Sequence, residues 1–181
     1  MGLSLESMAI EMPAVHGHPN RAGFRGVLTI VDVASDKSPS GARGHRVLLT
    51  RRAAEAAIPS LMGMGLDYSP ALDRHDARRK IGVITRAEIV GRVIEVGGFL
   101  YAKDFPEIVA EIGKPWSAGL GSADRNVRAS RAGLGMSYEI ADALVEDIKA
   151  SVWVLNRVTF TGAAVLRRDK AAYFSTWIEL G

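Results

Sequence analysis

Hydrophobic and polar positions along the chain alternate mostly with the period of strands. GVLTIVDV (26–33) is a β-branched run suited to a buried strand, and HRVLLT (45–50) predicts a second. Between them SDKSPSGARG (35–44) has the composition of a loop. Thr50 stands where it can N-cap a helix over RRAAEAAIPSLMGM, in which Ala53, Ala54, Ala57, Ile58 and Leu61 make an apolar stripe at helical spacing. DYSPALDRHDARRK (67–80) reads as a turn-rich loop. IGVIT (81–85) and the alternating EIVGRVIEVGGFLYA (88–102) read as strands, with Gly97-Gly98 as a bend or bulge.

DFPEIVAEIG (104–113) predicts a short amphipathic helix capped by Asp104, with Ile108, Val109 and Ile112 turned inward. The Gly/Ser/Arg-rich stretch 114–133 has no apolar period and reads as a mobile loop; loops of that length in a compact domain are usually functional or disordered. GLGMSYEI (133–140) resumes as a strand, followed by a charged connection through Glu146 and Asp147. SVWVLNRVTFTGAAVLR (151–167) is one bent strand or two, DKAAY (169–173) a helical turn, and FSTWIEL closes the chain. Residues 1–23, without a period, read as a flexible N-terminal arm, and 24–181 as the domain. The pattern predicts an α+β fold: a mainly antiparallel β-barrel core flanked by short helices. Neither regular βαβ alternation nor a GxxxxGK[ST] loop occurs.

Composition narrows the function classes. At 48% hydrophobic and 24% charged, the 181 residues suit one globular domain with a sizeable core. The 23 Lys+Arg against 20 Asp+Glu leave a net charge of +3, too slight to point to nucleic acid. The absence of cysteine removes disulfides, thiolate metal sites and a cysteine nucleophile together. No apolar run approaches the roughly 20 residues of a membrane span, and the start MGLSLESMAIEMP lacks a signal-peptide pattern, so a cytosolic protein is expected.

Of the four histidines, His16 and His18 lie in the arm without metal-ligand spacing, and His45 opens a strand. His75 sits at the end of a loop, beside Asp76 and just before an apolar strand, where a rigid scaffold holds a side chain at a cleft rim. Strand alternation puts Gly135, Ser137 and Glu139 on one face and Leu134 and Met136 on the other. A serine nucleophile needs a base in reach, and imidazole, which titrates near neutral pH, suits that task. Sequence permits the His75/Ser137 pair without demanding it, because a triad fixes geometry and not spacing. Glu139, Asp76, Asp142 and Asp147 are the candidates for a third, carboxylate member. Arg125, Arg128 and Arg131 offer positive potential, but with no interleaved aromatic beyond Trp116 they do not make a nucleic-acid surface.

Four segments together resemble the prohead proteases of tailed bacteriophages, capsid-maturation serine proteases with a fold similar to the herpesvirus assemblins. They are HRVLLTRRAAEAAIPSLMGMGLDYSPALDRHDARRKIG (45–82), GFLYAKDFPEI (98–108), GLGMSYEIADALVEDI (133–148) and TFTGAAVLRRDKAAY (159–173). The His-Asp pair before an Ile-Gly strand start looks like the family's histidine segment, and LGMSYE like its serine-bearing strand. The resemblance implies His75 as general base, Ser137 as nucleophile, and no metal or organic cofactor. It also implies an assemblin-like barrel, location inside the immature prohead in the host bacterial cytoplasm, and phage scaffold and major capsid proteins as substrates. Self-association and self-cleavage at the arm or the 114–133 loop belong to the same expectation. Where many members carry a Glu ahead of the T-F-x-G/P-A segment, this chain has Arg157, which leaves the third role open. A catalytically inactive member acting as a capsid-assembly structural protein is the alternative.

Overall fold

A computed structural model describes residues 8–10, 17–114 and 133–181. His16, Trp116, Arg125, Arg128 and Arg131, with most of the expected arm and loop, therefore lie outside the described residues. The described strands are β1 (Met8–Ala9), β2 (Ala22–Ile30), β3 (Arg46–Leu49), β4 (Gly65–Asp67), β5 (Lys80–Val90), β6 (Val93–Leu100), β7 (Leu134–Val145), β8 (Val152–Arg167) and β9 (Trp177–Leu180). Two short helices, α1 (Arg51–Ala57) and α2 (Pro106–Ile112), complete a mostly-sheet molecule whose sheet curls into a half-barrel.

The 16-residue β8 is the spine. Along one edge it takes β3 and then β4, both parallel, and along the other it takes β7 antiparallel. From β4 the sheet continues through β5, β6 and β2 to β9 by antiparallel ladders. The curl brings β7 back against β9 and β2: the Met136 N–H donates to Thr176 Oγ1 at 3.2 Å. A Cβ on Gly26 would lie 2.7 Å from the Met136 sulfur and 2.4 Å from the Trp177 carbonyl, so glycine permits the closure. The concave side holds the core, with Leu28, Leu49, Leu66, Ile81, Ile84 and Phe160 at most 1% exposed. Each such side chain contributes about 1.5–3 kcal/mol by leaving water.

Sequence signals account for the local elements. Thr50 Oγ1 accepts from the Ala53 N–H at 3.2 Å, the expected N-cap. The α-helix is shorter than its apolar stripe because Pro59 offers no N–H, and residues 58–61 tighten into a 3₁₀ turn. Ile108 and Ile112 of α2 are buried, but Phe105 stands at its N-cap, and Asp104 instead accepts from Asn20 Nδ2 at 2.7 Å. The β5–β6 hairpin turns at Gly91-Arg92, with Gly91 at φ +60°, as the favoured two-residue turn demands. The strands expected over 81–85 and 88–102 are thus divided differently: β5 runs on through Arg86 and Ala87 to Val90, and the register shifts between Ile84 and Arg86, opposite Gly98 and Gly97. Residues 151–167 form one strand, not two. Within 1–23, Met8 and Ala9 pair with Ala87 and Arg86 of β5.

Candidate active site

The period-2 alternation of β8 separates two faces. Ala163 and Val165 enter the main core, whereas Ala164 and Leu166 pack with Ala171 on the convex side. Ser137 of β7 pairs with Ala164 across the antiparallel ladder, and Asp67 of β4 pairs with the same Ala164 across the parallel one. Their neighbours Met136 and Leu66 both belong to the core, so Ser137 and Asp67 share the convex face. Glu139, two residues beyond Ser137, lies over Gly162, where a Cβ would meet its Oε2 at 2.7 Å.

His75 reaches this face from the segment between β4 and β5. That segment is held by its own turns: Ser69 Oγ donates to Asp73 Oδ1 at 2.8 Å, and the Leu72 N–H donates to the Ser69 carbonyl at 2.8 Å. The Arg167 N–H donates to the Leu72 carbonyl at 2.8 Å, fastening the loop to the end of β8. The imidazole is brought between two carboxylates. Nδ1 stands 3.6 Å from Asp67 Oδ1 and 3.8 Å from Glu139 Oε1. Both ring nitrogens are shielded from solvent, and neither has a hydrogen-bond partner among the described residues, Ser137 Oγ included.

Asp67 is the most constrained group here. Its side chain is 0% exposed, while that of Glu139 is 49% exposed. Lys80 Nζ donates to Asp67 Oδ2 at 3.0 Å and the Asp76 N–H to Oδ1 at 3.1 Å. Burial by itself pushes the Asp67 carboxyl up; His75, Lys80 and the Asp76 N–H together outweigh burial and hold it below the ordinary carboxylate value.

The other proposed carboxylates are engaged elsewhere. Asp76 supplies its backbone N–H to Asp67, while its carboxylate accepts from the Arg78 N–H at 3.1 Å and faces Arg79 Nε at 3.4 Å. Asp142, at φ +52° in the irregular part of β7, accepts from Thr159 Oγ1 at 3.2 Å. Asp147 caps a turn through the Lys149 N–H at 2.8 Å. Arg157 is exposed opposite Leu144. His18 Nδ1 accepts from the Asn20 N–H, and His45 stacks on Trp153 with ring centroids 4.6 Å apart. The described residues contain no cluster of three His, Asp or Glu side chains placed to hold a metal ion.

Asp67 was absent from the candidates drawn from sequence, where it read as the first residue of a loop. The signal that finds it is local: a lone carboxylate between apolar Leu66 and Tyr68, eight positions before His75 in the same connection. Chemically, a shielded imidazole flanked by carboxylates on a face that also carries a serine can accept a proton and be held in orientation while doing so. No family model matches the chain, and no curated protein matches it. No helix among the described residues is long and apolar enough to cross a membrane.

Proposed function

We propose that this protein is a serine endopeptidase of the prohead-maturation type, acting on phage scaffold and capsid proteins inside the immature capsid. The observation that carries the reading is the placement of His75 between two carboxylates on the convex face of the sheet that also bears Ser137. On this reading Ser137 Oγ attacks the scissile carbonyl as its proton passes to His75 Nε2. That proton then goes to the departing amine, and water releases the acyl group by the same route. Catalytic hydrogen bonds commonly tighten only in the substrate complex, which accommodates the absence of a Ser137–His75 bond here. The reading also takes the curled sheet, its two parallel pairings with β8 aside, as a mainly antiparallel, assemblin-like barrel.

The second reading, an assembly protein without catalysis, is favoured by that same missing bond and by Arg157. Co-expression with phage capsid and scaffold proteins separates the two, with wild type and Ser137→Ala read by intact mass. Cleavage present in wild type and lost in Ser137→Ala is the expected result. Cleavage by neither favours the assembly protein, and cleavage by both removes Ser137 from the site.

A further inference from the structure

We propose that Asp67 is the positioning residue for His75, holding the imidazole with its proton on Nδ1 and so leaving Nε2 as the basic nitrogen. This deepens the endopeptidase reading and rests on it for its functional meaning.

The tautomer follows from the inventory of donors and acceptors. A neutral imidazole has one N–H and one lone pair. Nδ1 faces Asp67 Oδ1 at 3.6 Å and Glu139 Oε1 at 3.8 Å, both of them acceptors when ionised. A lone pair directed at two carboxylates is repelled, whereas an N–H is attracted. The proton therefore belongs on Nδ1, and the lone pair falls to Nε2.

The choice between the two carboxylates follows from burial and restraint. Glu139 is half exposed, so water screens its charge and its side chain is free to leave. Asp67 is wholly buried, where a charge acts through a lower effective dielectric. It is also clamped on both oxygens, by Lys80 on Oδ2 and by the Asp76 N–H on Oδ1. The Asp76 N–H comes from the residue next to His75, so one short segment delivers the imidazole and locks its partner together. On this proposal the residue after the histidine contributes through its backbone N–H, its carboxylate being turned to Arg78 and Arg79.

The test is the tautomeric state of His75, read by long-range ¹H–¹⁵N NMR correlations on the full chain at pH 8, with cleavage of the co-expressed capsid and scaffold proteins measured in parallel. Wild type is expected to show the Nδ1–H form. Asp67→Asn is expected to lose that preference and to slow cleavage by about 10⁴-fold, the loss found when the orienting carboxylate of such a site is replaced. Glu139→Gln is expected to leave the tautomer unchanged, because water screens the half-exposed carboxylate. An Nε2–H form in wild type, or a tautomer that follows Glu139→Gln, overturns the proposal. If Asp67→Asn does not fold, the wild-type tautomer and its persistence in Glu139→Gln decide the matter. A tautomer governed by Asp67 in a protein that cleaves nothing upholds the positioning role and removes the endopeptidase reading. Ser137-dependent cleavage with tautomer and rate untouched in Asp67→Asn does the reverse.

Discussion

Ser137 and Asp67 are the two cross-strand neighbours of one residue, Ala164, on opposite edges of β8. Two strand spacings put their backbones about 10 Å apart across a small floor, and His75 faces the Asp67 side of that gap. The floor is small: Gly162 and Ala164 supply at most a methyl group on that face.

Enlarging this floor should misplace the imidazole before it unfolds the protein. Ala164→Leu is expected to cost about 1–3 kcal/mol in stability by overpacking. The same change should slow the proposed Ser137-dependent cleavage by about 100-fold, since a displacement of about 1 Å at a reacting group costs that much. Urea midpoints beside cleavage rates check it; a normal rate in a folded variant would separate Ala164 from the site.

Two glycines should respond to a methyl group to very different extents. At Gly98 the new Cβ would lie 2.0 Å from the Val83 carbonyl oxygen, a backbone atom in a fixed ladder. Gly98→Ala is expected to lose about 2–4 kcal/mol. At Gly162 the obstacle is the end of the flexible Glu139 side chain, 2.7 Å away, so Gly162→Ala should cost less than about 1 kcal/mol. Equal destabilisation of the two in denaturant melts would contradict this register.

Acid should remove the Asp67 contribution to stability. The folded carboxyl is held below its ordinary value of 3.8, so the folded state favours the ionised form. The resulting stabilisation is complete above the unfolded value and disappears as pH falls through the lower folded one. Urea midpoints from pH 7 down to pH 2 should fall more steeply for wild type than for Asp67→Asn. Parallel curves would mean that the Lys80 and Asp76 contacts do not offset burial.

Alkali should act through the shielded hydroxyls of Tyr138, a half-buried residue, and Tyr173, a buried one. Tyr138 packs edge-on against Phe160 with centroids 5.4 Å apart, and burial pushes its hydroxyl up to about 12. Burial also raises Tyr173, whose hydroxyl donates to the Val33 carbonyl at 2.9 Å. Unfolded phenols ionise near 10, so the stabilisation is intact below that value and is lost as pH climbs toward 12. Absorbance at 295 nm should rise together with loss of the circular-dichroism signal, and Tyr138→Phe should move the transition upward. Full phenolate formation near pH 10 in a folded protein would refute the burial of these hydroxyls.

Much of the secondary structure was legible because its signals are local. The Thr50 cap, the apolar stripe through Ala53, Ala54 and Ala57, and the alternation that puts Ser137 and Glu139 on one face each involve residues within a turn or a pleat of one another. The Gly91-Arg92 turn is also local, but the alternation read over 88–102 runs straight through it. A bulge, by letting β5 continue with a changed register, made the longer strand workable.

Asp67 shows where local reading stops. β4 is three residues long, too short for a period, and it exists because β5 pairs with it on one side and β8 on the other. By itself the sequence determined which residues prefer strand, helix cap or turn, and it marked His75, Ser137 and Glu139 as chemically capable. The tertiary structure alone decided that Asp67, and not Asp76, Asp142 or Asp147, is the buried carboxylate facing His75. The physical reason is that burial and ion pairing depend on which strands share an edge, and the parallel placement of β4 on β8 joins residues almost a hundred positions apart.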